Sequence, residues 1–212
     1  MEITKKFTFE GSHVVRNCTS HRCSHSVHGH SYVVELTFSG RKLDNAQMLY
    51  DFGLMKGTIK EFIDSLDHCH VISQFDTEDY IKFFTTHNDR WIVVPFNPSA
   101  EMLSVFIMRF VQFIMEHTKT ANGEDNDLKV KSVTVHETAT GRATCDEEDV
   151  RNLWNDLWIM QVGFSKGVMK DWSKGLKGIF FSTDDSGAHL PATVTNPTVK
   201  QQINLPKAHF VM

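Results

Sequence analysis

Apolar residues recur at every second position from the start of the chain. Phe7, Phe9 and then His13 fall in phase after Ile3, so the first segment reads as a strand whose inward face ends in a histidine. A polar stretch from about 14 to 27 follows. Beyond it His28, His30, Tyr32, Val34, Leu36 and Phe38 share one face, and Gly29, Ser31, Glu35 and Thr37 the other, the signature of a half-buried antiparallel strand. After the turn residues "SGRKLDN" the period changes: Met55, Ile59, Phe62, Ile63 and Leu66 stand at helical spacing, and Leu103, Phe106, Ile107, Phe110 and Ile114 do so again. Ser99 is placed to cap the second helix, with Glu101 in its favourable first turn. "LKVKSVTVHET" alternates as a third strand and "LWIMQVGF" reads as a fourth, giving the order ββααββ over residues 1–164. Residues 165–212 hold three of the five prolines and little periodic pattern, and read as an irregular extension or interaction arm.

Composition narrows the function classes. A chain of 212 residues, 41% hydrophobic and 23% charged, has the make-up of a soluble globular protein, predominantly one domain. A formal charge of -4 without a basic run gives no reason to expect a nucleic-acid or membrane surface, so a small-molecule partner is expected. No apolar run is long enough to span a bilayer, and "MEITKKFTFE" has no signal core, which together predict a cytoplasmic protein. In that reducing setting Cys18, Cys23, Cys69 and Cys145 read as free thiols.

Residues 11–36 crowd five histidines and two cysteines together. A single histidine is ordinarily a surface or hydrogen-bonded residue, and two cysteines five apart suit half of a structural zinc knuckle, but the chain has no second Cys-x-x-Cys pair to complete one. His28 and His30 project from one strand face, and a neighbouring antiparallel strand ending in His13 brings a third imidazole beside them. Three neutral nitrogens hold zinc with the fourth position open for water or a substrate oxygen. The rival arrangement is a non-catalytic zinc module in which Cys23 closes the site as a fourth ligand.

"FEGSH", a cysteine shortly before "HGHSY", then "YDFGLMK", "SLDHCHVI", "NPSAEML" and "VHET" occur in the order found in the 6-pyruvoyl-tetrahydropterin synthase / 6-carboxy-5,6,7,8-tetrahydropterin synthase family, which the chain resembles over roughly residues 3–164. The resemblance implies the tunnelling fold (T-fold), an α+β architecture of a four-stranded antiparallel sheet with two helices on one face. It also implies Zn2+ on His13, His28 and His30, with Cys23 as general base and Asp67 and His68 as its proton relay. Alone, Asp67 and His68 would read as helix-terminal caps. Glu137 resembles the family's pterin anchor, since one carboxylate matches the adjacent donors of the pterin 2-amino and N3–H edge; otherwise it is a strand-end carboxylate turned to solvent. Ser99 stands where relatives carry a pterin-binding threonine, a role compatible with the helix cap.

The implied reaction acts on 7,8-dihydroneopterin triphosphate. One branch eliminates triphosphate to give the pyruvoyl product of a tetrahydrobiopterin-type pathway. The other cleaves a carbon–carbon bond to give 6-carboxy-5,6,7,8-tetrahydropterin and acetaldehyde for 7-deazaguanine and queuosine synthesis, and the compact chain favours it. Four residues separate Cys23 from His28, between the three typical of one branch and the five of the other, so spacing leaves the branch open. Arg16, Arg22 and Lys56 are the unranked candidates for the triphosphate. Cys18, His21 and His25 have no assigned task, and residues 73–95 exceed the family's usual link between helices. Relatives of this kind form trimers or hexamers with active sites between subunits, so a homo-oligomer is expected.

Overall fold

A computed structural model describes residues 1–123, 127–154 and 159–181. In chain order its elements are β1 (Glu2–His13), α1 (His21–His25), β2 (His28–Ser39), α2 (Thr58–Asp64), β3 (Cys69–Ser73), α3 (Glu78–His87), β4 (Trp91–Val94), α4 (Ala100–Glu116), β5 (Lys129–His136), β6 (Arg142–Asp146), α5 (Glu147–Trp154), β7 (Gly163–Phe164), α6 (Lys166–Lys170) and α7 (Lys174–Phe180). Among the described residues none forms a helix long and apolar enough to cross a membrane.

The strands form one mixed seven-stranded sheet in the order β6-β5-β2-β1-β3-β4-β7. Its first four members form an antiparallel sheet that contains three of the four expected strands. β1 and β2 pair without a break from Glu2↔Ser39 to His13↔His28, β5 lies on the other side of β2, and β6 returns from β5 as a hairpin with Val133 opposite Cys145. The expected fourth strand was misplaced. β6 fills that position, whereas of the stretch 157–164 the described part is a helical turn and the two residues of β7, which pair with β4.

The other three strands exceed the four-stranded expectation. β3 runs parallel to β1 along Gly11–His13 only, and β4 runs parallel to β3 after the crossover helix α3. The segment 73–95, which looked overlong, is therefore most of a βαβ unit. Both of its strands are buried at every position, because the main core covers one face while Tyr80, Ile81 and Phe84 of α3 pack on Ile72, Trp91 and Val93 from the other. A strand covered on both faces loses the alternation that would announce it.

The two predicted helices lie on the apolar face of the antiparallel half. Ile59, Phe62 and Ile63 of α2 and Leu103, Phe106, Ile107, Phe110 and Ile114 of α4 join Phe7, Phe9, Val34, Leu36, Phe38, Val133 and Val135 in one core, with Phe62 stacked on Phe110 at 5.0 Å. Complete burial of each such side chain contributes roughly 1.5–3 kcal/mol. That core continues past residue 164: Val168, Met169, Trp172, Leu176 and Phe180, from α6 to α7, belong to it, with Phe180 5.1 Å from Phe110. The extension thus begins with two core-packed helices, and residues 182–212 lie outside the described residues.

Candidate metal centre and active site

The β1–β2 register places His13 directly opposite His28, and the pleat puts His30 and Tyr32 on the same face. The three imidazoles converge, with ring centroids 4.6, 5.2 and 5.1 Å apart for the pairs 13/28, 13/30 and 28/30. One nitrogen from each lies within 4.8 Å of the other two. Neighbouring carbonyls fix two of the rings. His13 Nδ1 donates to Pro98 O at 2.6 Å and His28 Nδ1 to Ser26 O at 3.0 Å, which leaves each Nε2 with a lone pair.

His13 Nε2 and His30 Nε2 are buried and have no hydrogen-bond partner. Buried polar atoms are nearly always partnered, so two unpaired nitrogens aimed at one point mark a place for a cation. Burial, against the Pro98 hydrogen bond and with help from the neighbouring histidines, pushes His13 down to about 4. Burial also lowers His30, outweighing the Glu137 carboxylate. Neutral imidazoles are what a metal requires, and the residues present fit a three-histidine ion.

Glu137 lies just past β5, where its backbone N–H donates to Gly141 O at 3.1 Å. In phase with Val133 and Val135, it turns toward the histidines rather than to solvent, with Oε1 3.5 Å from His13 Nε2 and 3.8 Å from His30 Nε2. Gly29 lets β1 approach closely, since a Cβ there would sit 3.0 Å from the carbonyl oxygen of Gly11, the residue before its ladder partner Ser12.

A model of the 6-pyruvoyl tetrahydropterin synthase family matches residues 2–148, with the histidine cluster, Cys23, the Asp67–His68 pair and Glu137 all inside the match. The chain belongs to that family. A 6-carboxy-5,6,7,8-tetrahydropterin synthase from Helicobacter pylori strain J99 is 37% identical over 174 residues, covering 81% of this chain and 86% of the relative. One from Aquifex aeolicus is 32% identical over 171 residues, covering 69% of this chain and 98% of the relative. Among solved structures, an uncharacterized protein from Wolinella succinogenes has a likeness of fold, with a TM-score of 0.56 at 22% identity over 69% of this chain and 98% of the other.

The remaining predicted residues of this pterin synthase family member are dispersed. Cys23 is half-buried in α1, outside the group of three histidines. His68 holds Asp67 through Nδ1–H to Oδ2 at 2.7 Å, while Asp67 Oδ1 accepts from Glu10 N at 2.7 Å and His68 N donates to Glu10 O at 2.6 Å. For Asp67 burial pulls upward, but the Glu10 and His68 hydrogen bonds outweigh it and the carboxyl stays below its ordinary range. The His68 imidazole is 74% exposed and opens onto a cleft of about 330 Å3 beside Gly11, Gly29 and Ser31. Among the described residues no hydrogen bond links this pair to Cys23. Ser99 caps α4, its hydroxyl accepting from Met102 N at 3.4 Å.

Two residues carry parts that the sequence did not give them. Arg16, a triphosphate candidate, is buried and engaged by Asp76, Nε to Oδ2 at 2.9 Å, so its charge is already committed within the fold. His70, overlooked beside "LDH", is buried between Ser12 Oγ and Tyr80 Oη, each 2.9 Å away. Neither has a spacing signal, because each depends on the βαβ unit.

Proposed function

We propose that the chain is a zinc-dependent 6-carboxy-5,6,7,8-tetrahydropterin synthase, a lyase converting 7,8-dihydroneopterin triphosphate and water to 6-carboxytetrahydropterin, acetaldehyde and triphosphate. The observation that carries this reading is the convergence of three histidines, two of them with buried unpaired nitrogens, in a chain whose curated relatives have that name. A zinc ion on His13, His28 and His30 would act as a Lewis acid on the side-chain hydroxyls of the pterin.

The protein's own groups supply the rest. Cys23 takes the proton from carbon beside those hydroxyls, and His68, oriented by Asp67, exchanges protons with the thiol. Glu137 accepts from the 2-amino and N3–H groups and orients the ring, with the Ser99 hydroxyl as a second contact besides its cap. Because Asp67–His68 is exposed and unconnected to Cys23 within one chain, we place the complete site between subunits of a homo-oligomer. With the position of Cys23 outside the three-histidine group, an open catalytic site accounts for the geometry better than a closed four-ligand one.

Incubation with 7,8-dihydroneopterin triphosphate and mass spectrometry of the products tests the reading. Acetaldehyde and 6-carboxytetrahydropterin are expected; triphosphate release with a pyruvoyl product moves the chain to the other branch, and no turnover overturns the assignment.

A further inference from the structure

The stretch between β1 and β2 that carries Cys23 contains only one short helix, α1, and a loop of that kind does not hold a proton-transfer group in register by itself. What holds it is Arg16. Its backbone N–H donates to Asn97 Oδ1 at 3.0 Å and its carbonyl accepts from Asn97 Nδ2 at 2.6 Å, tying the loop to the segment before α4. Its guanidinium donates through Nε and Nη2 to the two oxygens of Asp76 at 2.9 and 3.3 Å, and through Nη1 to Ser24 O at 3.0 Å. The same group lies 4.9 Å above the ring of Tyr80. Ser24 is the residue after Cys23, and Cys23 O in turn accepts from Val15 N at 3.0 Å. Arginine, carboxylate and Ser24 are all buried.

A buried ion pair is a poor device for stability, because desolvating both charges offsets much of their attraction. It is a good device for orientation. A planar guanidinium with three directed contacts fixes the carbonyl of Ser24, which lysine could not do from one point charge. We infer that Arg16 and Asp76 are positioning residues for Cys23, and that the βαβ unit, which supplies Asp76 and Tyr80, forms the support for the catalytic loop. This rests on the reading of Cys23 as the proton-transfer thiol.

The test uses the full chain loaded with zinc, in a Cys18→Ser background so that Cys23 is the accessible thiol; Cys69 and Cys145 are buried. Arg16→Lys and Asp76→Asn are compared with the parent for zinc content, kcat and KM on 7,8-dihydroneopterin triphosphate, and the rate of iodoacetamide labelling at each cysteine. The expected result is retained zinc, kcat lower by about 10–100-fold with little change in KM, and Cys23 labelled severalfold faster while Cys69 and Cys145 stay protected. Parental kcat and Cys23 labelling in both variants would overturn the inference. So would faster labelling of all three cysteines together, which marks general loosening. If the parent turns over no pterin, the function fails separately, and selective labelling of Cys23 still decides the clamp.

Discussion

His13 and His70 are buried on neighbouring strands of one sheet, yet they read differently once their partners are compared. Ser12 pairs with His70 and His13 with Val71, so the two side chains face opposite sides of the sheet. Burial is the leading cause that pushes each down to about 4. For His70 both ring nitrogens are satisfied, by Ser12 and Tyr80, and Phe84 stacks on the ring at 4.0 Å. For His13 one nitrogen is satisfied and the other faces His30, His28 and Glu137 without a partner. Burial and a depressed pKa therefore do not distinguish a ligand from a core histidine; the unfilled lone pair does.

The largest expected effect separates the two sites. His28→Ala should lose bound zinc and turnover together, while His70→Phe keeps zinc, measured by metal analysis after dialysis; equal metal loss in both would erase the distinction. Next, Cys23→Ala should retain zinc and lose turnover by about 10²–10⁴-fold, the scale of a positioned proton-transfer group. Zinc loss there comparable to His28→Ala would place the thiol on the metal instead.

A smaller effect concerns protons. With its folded pKa depressed, His70 stays neutral while the unfolded chain takes up a proton below 6.5, so the stability it helps provide is present above that pH and lost as pH falls toward about 4. The shift corresponds to a loss on the order of 3 kcal/mol. Urea unfolding of metal-free protein should therefore show a flatter pH dependence for His70→Phe than for the parent, and parallel curves would refute the buried-neutral assignment. Smallest is Ser99→Ala, expected to cost about 1 kcal/mol through the lost helix cap. A raised KM for the pterin would add the second role, whereas an unchanged one leaves Ser99 as a cap alone.

How far the sequence reached follows from what each element packs against. β1 and β2 face water on one side and core on the other, so their phases are plain in the sequence and bring His13, His28 and His30 together. α4 announced itself through its apolar stripe and its Ser99 cap. β3 and β4 were hidden because burial on both faces leaves short apolar runs that fit strand or helix alike. β6 was hidden for the opposite reason: "RATCD" has one buried residue, Cys145, and owes its strand to the hairpin with β5. The approach of Glu137 to the three histidines was half legible, in its phase with Val133 and Val135. The Arg16–Asp76 pair was not, since it joins positions sixty residues apart through a unit that periodicity did not reveal.

His68 has a φ of +59°, a left-handed backbone that side chains with a Cβ adopt at a cost of roughly 1–2 kcal/mol and glycine does not resist. Its imidazole is largely in solvent and gives the core nothing in return. Folding alone would be served as well by glycine here, so the position is one where thermodynamic economy and chemistry pull apart. An engineer screening for heat resistance would be drawn to His68→Gly, and under the proposed function would select an enzyme that keeps its shape and loses its proton relay.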